Sequence, residues 1–348
     1  MKNFNSLSTS LSDLKFIDLF SGIGGFHQAL DSFGAECVFA SDINDSANLT
    51  YELNHGLKPH GDITQIDEKS IPEFDILCAG FPCQAFSIAG KKLGFEETRG
   101  TLFFDVARII KHHQPKVAIL ENVKNFASHD GGKTLTTILN ALEELEYTTE
   151  FKVLNSANFG VPQARERIYI IAIRKDLAKD HKFSIPEKAL DELGQPVASV
   201  SVEDILCATP EEIEKLKVKT PLHTLQIRDK SMLKVNPSKP LRIGEIDNKG
   251  NSQGYRLYSP KAVGNTLTTS GGGIGSNKGG PYYFEEEDYA RKLSKKECLL
   301  LMGFPQTFTP HPRDNESYKQ SGNSVVVDVI QEIVKNLITA DILGKQVN

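Results

Sequence analysis

Cys83 stands in the segment of this 348-residue chain that is best suited to chemistry. The apolar run 74–79 precedes it and predicts a buried strand, so Cys83 is expected just beyond the carboxyl end of that strand. Gly80 and Pro82 predict a turn there, and the neighbours of Cys83 are turn and polar residues. Cys78, inside the apolar run, has the pattern of a core cysteine instead. Cys83 is therefore interpreted as a nucleophile next to a loop.

An acidic residue and two arginines are candidates to act with this cysteine. Glu121 follows a second predicted strand, and one predicted helix separates that strand from the one before Cys83. A βαβ crossover makes the ends of two such strands near neighbours. Arg165 and Arg167 stand at the edge of a strand predicted over 168–173, where alternation places both guanidinium groups on one face. We interpret all three side chains as substrate ligands, with an exposed cap and surface ion pairs as the alternatives.

A glycine-rich turn near the N-terminus predicts a cradle for a nucleoside. It joins the predicted strand 16–20 to a helix, and its glycine spacing differs from GxGxxG, which argues against a nicotinamide dehydrogenase. Asp42, at the end of the second strand, is placed to accept hydrogen bonds from ribose hydroxyls. Asp62 is a candidate to face an adenine amino group, with a plain turn-forming role as the alternative.

The composition is that of a soluble globular protein, with 39% hydrophobic and 24% charged residues. The sequence has neither an apolar run of about 18 residues nor a signal-peptide pattern, which predicts a cytoplasmic location and no membrane span. The five cysteines are scattered and form no CxxC pattern, so neither a disulfide framework nor a metal site is expected.

Charge is distributed unevenly along the chain. The segment 215–284 contains twelve Lys or Arg and three acidic residues, a net charge of +9, although the whole chain carries −5. Ten glycines between 244 and 280 predict loops that fit closely against a partner. Gln253, Tyr255 and Arg256 carry side chains suited to reading bases or stacking on them. These features predict a DNA-binding segment, with a solvated lysine-rich surface as the alternative.

The alternation of strands and helices ends near residue 185, which predicts a domain boundary. We expect a catalytic and cofactor-binding domain over 1–185 and a target recognition domain over 186–290. The remaining 291–348 is predicted as a hinge and a C-terminal helix that returns to the first domain. Within it, Ser294 and Glu297 predict a capping box, and the segment from Gln320 predicts one amphipathic helix that continues to about Leu337.

Five segments together resemble the motifs of bacterial DNA (cytosine-5)-methyltransferases, in family order and spacing. They are 16–26, 80–84, 121–123, 163–167 and 322–325. The resemblance extends from about Phe16 to Leu337, and the small GCGC-methylating enzymes of type II restriction-modification systems are the most similar. It implies an α/β fold with a Rossmann-like S-adenosylmethionine-dependent methyltransferase sheet, helices on both of its faces, and a smaller loop- and strand-rich target recognition domain.

The resemblance also implies roles for individual residues. Cys83 would attack C6 of a flipped-out cytosine, Glu121 would hold the N3 and N4 edge, and Arg167 would bind O2, with Arg165 supporting it or the backbone. The implied cofactor contacts are Phe20, Ile23, Gly25, Asp42, Ile43, Asp62, Ile63, Gly80, Pro82, Leu102, Asn323, Ser324 and Val325. The implied DNA contacts are Ser87, Arg99, Gln253, Tyr255, Arg256 and Thr266.

The implied cofactor is S-adenosyl-L-methionine, which leaves as S-adenosyl-L-homocysteine, and no metal is required. The chain is expected to act as a monomer on double-stranded DNA and to protect it from a cognate restriction endonuclease that need not bind this chain. Tyr255 stands where the GCGC-methylating enzymes have an acidic residue, so the resemblance leaves the recognition sequence open.

Two other functions remain as alternatives. A transfer-RNA cytosine-5 methyltransferase of the same superfamily usually has Pro-Pro-Cys-Gln at the nucleophile and no long recognition region. Here Phe81 precedes Pro82, and a long segment separates the arginine pair from the last motif. A non-catalytic DNA-binding regulator on the same scaffold is the second alternative, and the presence of Cys83 and Glu121 argues against it.

Overall fold

A computed structural model describes residues 10–82, 101–178, 183–218, 225–227, 236–246, 255–268, 281–285 and 289–344. Four predicted site residues lie outside these ranges: Cys83, Ser87, Arg99 and Gln253. Contacts divide the chain into two compact units. The first unit comprises Met1–Leu154, Glu166–Glu187 and Val329–Asn348, and the second comprises Asn155–Arg165 and Lys188–Asp328. The functional domains expected over 1–185, 186–290 and 291–348 stay a prediction.

Strands and helices alternate through the first half of the chain, as predicted. The strands are β1 (Lys15–Leu19), β2 (Glu36–Ser41), β3 (Ile76–Ala79), β4 (Val117–Val123), β5 (Tyr147–Asn155), β6 (Gln163–Ala164), β7 (Glu166–Arg174), β8 (Leu225–Ile227), β9 (Arg242–Ile246), β10 (Arg256–Tyr258), β11 (Gly264–Asn265), β12 (Tyr282–Glu285) and β13 (Tyr289–Arg291). The helices are α1 (Gly25–Asp31), α2 (Asp45–His55), α3 (Leu102–His113), α4 (Lys133–Glu144), α5 (Lys175–Ala178), α6 (Pro210–Leu216), α7 (Lys295–Leu300), α8 (Asp314–Asn323) and α9 (Val327–Thr339).

The first unit is built on a six-stranded sheet with the order β2-β1-β3-β4-β7-β5. β1 pairs in parallel with β2 and β3, β3 pairs in parallel with β4, and β7 is antiparallel to β4. All four residues of β3 are buried, because packed elements cover both faces of the sheet centre. The predicted mixed α/β class is confirmed.

Local signals set the ends of the helices that flank this sheet. Asn44 caps α2 by accepting hydrogen bonds from two backbone N–H groups of its first turn, and Gly56 ends the helix with φ 69°. On one face of the sheet, Leu77 and Leu120 belong to a cluster that also contains buried residues of α3 and α4. On the other face, the Phe16 ring contacts His27 of α1 edge to face, with centroids 5.4 Å apart. These helices hold the strand ends that carry the predicted site.

The C-terminal segment differs from the single helix predicted from Gln320 to about Leu337. α8 ends at Asn323, Ser324 is extended with φ −69° and ψ 157°, and α9 begins at Val327. The carbonyls of Gly322 and Ser324 accept hydrogen bonds from the Arg165 guanidinium. These carbonyls have a side-chain partner in place of the next helical turn, which is the physical reason for the break. Most of α9 belongs to the first unit, which includes Val329–Asn348.

The second unit contains a five-stranded sheet with the order β13-β12-β10-β9-β8 and a two-stranded sheet of β11 and β6. The predicted capping box of Ser294 and Glu297 is confirmed at the start of α7. Glu297 also forms a buried ion pair with Arg291, with Nη1–Oε2 2.7 Å, and accepts hydrogen bonds from the backbone of Cys207 and Ala208. This carboxylate therefore joins three segments of the second unit. Across the ranges given above, no helix is long and apolar enough to cross a membrane.

Candidate functional site

The ends of β3 and β4 lie side by side, as the predicted crossover requires, because the two strands pair directly. The two residues after Gly80 differ: Phe81 is buried and Pro82 is exposed. The Asn122 side chain donates a 2.8 Å hydrogen bond to the Phe81 carbonyl, and the Phe81 ring packs edge to face on Phe126. The backbone immediately before Cys83 is therefore held beside the end of β4. No role for Asn122 was predicted from the sequence. Alternation along β4 does predict that Asn122 and Glu121 point to opposite faces of the sheet.

Glu121 and Arg167 form an ion pair at this edge of the sheet, with Nε–Oε1 3.1 Å and side chains 11% and 16% exposed. Glu121 lies opposite Tyr169 in the antiparallel β4–β7 ladder, and Arg167 lies opposite Val123, so the two charged residues are diagonal neighbours. The carboxylate can accept a hydrogen bond from a donor on a ring, and the guanidinium can donate to an acceptor on the adjacent edge of the same ring. A pyrimidine base with an amino group and a carbonyl oxygen is such a ring.

Arg165 has different partners from Arg167, although only one residue separates them. It is 3% exposed, and its guanidinium donates hydrogen bonds to the carbonyls of Leu267, Gly322 and Ser324 at 3.3, 3.1 and 2.9 Å. All four residues belong to the second unit. Arg165 thereby binds the backbone of the segment predicted to close the cofactor site, which includes Asn323 and Val325. Contact with the backbone is one of the two roles that the resemblance left open for Arg165.

Gln163 is a second buried residue whose function in the fold the sequence did not reveal. Its side-chain amide donates to the Leu301 carbonyl at 2.8 Å and accepts from the Leu267 N–H at 3.1 Å. One residue after Gln163, the Ala164 carbonyl accepts a 2.6 Å hydrogen bond from the Thr266 hydroxyl, which was predicted as a DNA contact. The other two described base-reading candidates, Tyr255 and Arg256, are half-buried at the start of β10.

The turn between β1 and α1 has a backbone that side chains rarely allow. Phe20 has φ 54°, and Gly22 and Gly24 have φ 54° and 84°. Asp42 follows β2 and fixes this turn, since its carboxylate accepts hydrogen bonds from the N–H groups of Gly22 and Asn44, both at 2.8 Å. The acid predicted to bind a ribose is therefore anchored at the mouth of the glycine-rich turn.

The cradle fits a nucleoside cofactor on three observations. A Cβ at Gly22 would have nothing within 4 Å, so open space borders the turn. The Ser21 hydroxyl is buried and has no hydrogen-bond partner in the described part of the chain. Ile43, an apolar residue beside Asp42, is 75% exposed. A polar group, a space and an apolar surface are what a ribose and its base require.

Four further cofactor candidates, Asp62, Ile63, Leu102 and Gly25, belong to the first unit. Asp62 caps a short 3₁₀ turn by accepting a 3.0 Å hydrogen bond from the Thr64 N–H, so the turn-forming role that was left open is observed. Ile63 is buried, and Arg108 of α3 donates to its carbonyl at 2.7 Å. Leu102 is the first residue of α3, and Gly25 is the first residue of α1.

A cluster of polar aromatic residues lies directly beneath the glycine-rich turn. The rings of His27 and His55 stack with centroids 4.0 Å apart and an interplanar angle of 19°. His27 Nδ1 lies 2.8 Å from the Tyr51 hydroxyl, and His55 Nε2 lies 3.3 Å from the Ile23 carbonyl oxygen. Burial lowers the pKa of His27 to about 3, with a contribution from His55, and lowers the pKa of His55 to about 4. Both rings are therefore neutral near pH 7.

This pair predicts that acid destabilises the fold. An unfolded histidine titrates near pH 6.5, so from there down to about pH 4 the unfolded chain binds a proton at His55 that the folded chain does not. We expect the unfolding free energy of both proteins to depend on pH, with a steeper fall towards acid in the wild type than in His55→Phe. The two slopes should differ by up to about 1.4 kcal/mol per pH unit. Urea denaturation between pH 7 and 4.5 measures this difference.

The difference between the wild type and His55→Phe reports the contribution of His55 to the pH dependence. Burial raises the pKa of Asp18 well above its ordinary value, nearby Asp42 adds to that rise, and the backbone N–H of His27 opposes it. Because its pKa is raised in the folded state, Asp18 favours the folded state as the pH falls, which is opposite to the effect of His55. Asp18 is present in both the wild type and His55→Phe, so its effect is expected in both. Equal pH slopes in the wild type and in His55→Phe would contradict the prediction.

A search of the described ranges finds no group of three or more His, Cys, Asp or Glu residues that could hold a metal ion.

Residues 14–339 match a family described as C-5 cytosine-specific DNA methylase. The Type II methyltransferase M.HhaI of Haemophilus parahaemolyticus is 46% identical over 327 residues, which are 94% of this chain and 95% of that protein. The Type II methyltransferase M.HpaII of Haemophilus parainfluenzae is 42% identical over 341 residues, 93% of this chain and 88% of that protein.

Solved structures are similar in fold at lower sequence identity. The crystal structure of the S. pombe Dnmt2 methyltransferase covers 94% of this chain and 98% of its own, with a TM-score of 0.67 and 21% identity. The structure of a DNMT2 mutant from Spodoptera frugiperda has a TM-score of 0.68 and 23% identity, and covers 93% of this chain and 99% of its own. Both agree with the Rossmann-like sheet of the first unit.

Proposed function

The chain belongs to the C-5 cytosine-specific DNA methylase family, and we propose that it transfers a methyl group from S-adenosylmethionine to C5 of one cytosine in a short sequence of double-stranded DNA. The observation that carries the proposal is the pairing of β3 with β4. It brings the backbone before Cys83, held by Asn122, next to the ion pair of Glu121 and Arg167. A nucleophile beside a donor and an acceptor is the constellation that activation of a pyrimidine ring needs.

The methyl acceptor needs activation because C5 of cytosine is a weak nucleophile. We propose that the Cys83 thiolate adds to C6, which forms a C–S bond and gives the ring enamine character at C5. Glu121 accepts a hydrogen bond from the N4 amino group and gives a proton to N3 as the thiolate adds, and Arg167 donates to O2, so both favour the addition. N3 returns this proton to Glu121 when the C–S bond breaks. Bound S-adenosylmethionine supplies the electrophilic methyl group. After C5 has taken this group, C5 loses its proton to a base, the C–S bond breaks, and the Cys83 thiolate is regenerated.

The cofactor residues are proposed on the cradle described above. Asp42 is placed for the ribose hydroxyls, the exposed Ile43 offers apolar surface for the base, and the Ser21 hydroxyl is a further polar contact. The buried Ile63 is proposed near the adenine because the resemblance implies it. Arg165 supports the site through the backbone of Gly322 and Ser324 rather than through the substrate. The remaining contacts, including Phe20, Ile23 and Val325, are proposed because the resemblance implies them.

The target cytosine is paired inside duplex DNA, so it must rotate out of the stack before Cys83 can reach C6. Ser87 and Arg99 are proposed to contact the extruded nucleotide, and Gln253 to fill the space that it leaves. The net charge of +9 over 215–284 supports a DNA surface in the second unit, with Tyr255 and Arg256 as base-reading candidates. The short sequence is proposed to be GCGC-like, the chain to act as a monomer, and the methylation to protect DNA from an endonuclease with the same target.

Bisulfite sequencing of DNA from a methylase-free host that expresses this chain tests the proposed function. We expect methylated cytosine at one position of one short motif, and an unmethylated genome in the same host with an empty vector. Plasmid DNA from the expressing host should then resist an endonuclease that cleaves this motif. Unmethylated DNA, together with a folded chain that binds S-adenosylmethionine, would favour an RNA substrate or a regulator.

A further inference from the structure

The glycine-rich turn of the proposed cofactor site rests on a histidine that sequence reasoning did not single out. We propose that His55 is a positioning residue: stacked on His27, it fixes the peptide between Ile23 and Gly24 and thereby sets the affinity for the methyl donor. The inference rests on the proposed function, because it concerns the same cofactor.

Two contacts join His55 to this peptide. Its Nε2 lies 3.3 Å from the Ile23 carbonyl oxygen, so the neutral ring donates from Nε2. Its ring also covers the position where Gly24 would carry a side chain, because a Cβ there would lie 2.7 Å from His55 Cδ2 and 3.0 Å from Tyr51 Cε2. The hydrogen bond orients the carbonyl, and the ring limits how far the glycine can move towards the core.

His55 is itself held in place, which a positioning residue requires. It is the last residue of α2, whose first turn is capped by Asn44, and its ring stacks on His27. Tyr51, one turn earlier on α2, lies within hydrogen-bonding distance of His27. α2 follows directly on Asp42 and Ile43, so one helix links the proposed ribose and base contacts to the support of the turn.

The geometry of the turn explains why a small displacement matters. The Gly22 N–H donates to Asp42 at 2.8 Å, and the Gly24 N–H donates to the Ser21 carbonyl at 2.9 Å. Ile23 lies between these fixed points, and its amide plane is set by the contact with His55. If that contact is lost, the turn can adopt other conformations, and binding must then select the competent one at a cost in affinity.

Three variants separate the ring from its hydrogen bond. His55→Phe keeps an aromatic ring without the donor, His55→Gln keeps a donor without the ring, and His55→Ala lacks both. We measure the dissociation constant of S-adenosylhomocysteine by calorimetry at a temperature where circular dichroism shows each variant to be folded. His55→Phe and His55→Gln are each expected to weaken binding about three- to tenfold, because one net hydrogen bond has roughly this value. His55→Ala, which loses both the ring and the donor, should weaken binding more than either.

Tyr147→Phe is the matched control for a general loss of stability. It removes a buried 2.6 Å hydrogen bond from the Tyr147 hydroxyl to the Pro115 carbonyl, and Tyr147 lies on β5, the strand at the opposite edge of the sheet from β2. Its unfolding midpoint should fall, whereas its dissociation constant should stay within about twofold of the wild type. Long-range ¹H–¹⁵N spectra provide a second readout, in which His55 should be neutral, protonated on Nε2, and shifted by the ligand.

The outcomes distinguish the inference from the proposed function. Folded His55→Phe and His55→Ala proteins that bind S-adenosylhomocysteine as tightly as the wild type would overturn the inference and leave the proposed function intact. A His55 ring protonated on Nδ1 alone would overturn it as well. A folded wild-type chain that does not bind S-adenosylhomocysteine would overturn the proposed function and this inference with it.

Discussion

Replacement of Cys83 by serine is expected to abolish methyl transfer, with a fall of at least about 10³-fold in the single-turnover rate. A serine hydroxyl is almost fully protonated at neutral pH, whereas a cysteine supplies an appreciable fraction of thiolate, which is a strong nucleophile for C6. DNA binding should survive, because contacts to phosphates and bases away from Cys83 dominate the affinity. Transfer of labelled methyl groups to a duplex that carries the motif, with both substrates saturating, measures the rate.

Cys207→Ser is the matched control for this variant. Its side chain is exposed in the second unit, and its backbone N–H donates to Glu297, a contact that serine retains. The Cys207 thiol also has a hydrogen bond with Gln306, which a serine hydroxyl can replace. The control should transfer methyl groups within about twofold of the wild-type rate. A Cys83→Ser protein that keeps more than a tenth of that rate would rule out Cys83 as the nucleophile. Loss of DNA binding in parallel with transfer would instead indicate a structural role.

Glu121→Gln is expected to reduce the single-turnover rate by about 10²- to 10⁴-fold, the range for a group that assists proton transfer. The substitution conserves shape, but an amide does not stabilise a proton at N3 as a carboxylate does. It also leaves Arg167 without the carboxylate that lies 3.1 Å from its Nε. Since the effect is on the activated ring, the dissociation constant for the duplex should change little.

A neighbouring pair provides the control for loss of a charge at this edge. Lys124 Nζ lies 2.9 Å from Glu166 Oε2, and the side chains are 53% and 49% exposed. Because the pair is exposed, it contributes about 0 to 1 kcal/mol to the unfolding free energy. Glu166→Gln should therefore transfer methyl groups at nearly the wild-type rate. Equal rates for Glu121→Gln and Glu166→Gln would remove Glu121 from the chemistry. Thermal unfolding of both variants checks that a low rate does not reflect an unfolded protein.

The elements of the first unit could be predicted from local pattern because each of them buries a regular apolar face. The helix predicted between the strands before Cys83 and Glu121 is α3, and the second predicted strand, which ends before Asp42, is β2. The pattern also predicted that the strands before Cys83 and Glu121 would be neighbours, since a short crossover joins parallel strands. In the second unit the sequence indicated a loop- and strand-rich segment without the order of its strands, which depends on pairings between distant segments.

The helix predicted to run from Gln320 to Leu337 shows where local pattern fails. The apolar periodicity is real in α9, but Arg165, 157 residues before Gly322, binds the backbone that would have continued α8. No periodicity near Gly322 indicates that an arginine so distant will bind this carbonyl. A tertiary hydrogen bond from a charged donor therefore outweighed the local preference for one continuous helix.

The sequence by itself determined the family, the α/β class, the candidate nucleophile at Cys83 and the acid at the neighbouring strand end. Each of these depends on short motifs or on periodicity that adjacent residues carry. Only the tertiary structure decided that Arg167 pairs with Glu121, that Arg165 binds backbone carbonyls, and that His55, 32 residues from Ile23, supports the glycine-rich turn. The physical reason is that a buried donor must find an acceptor wherever packing places one, and packing brings together residues that are far apart in the chain.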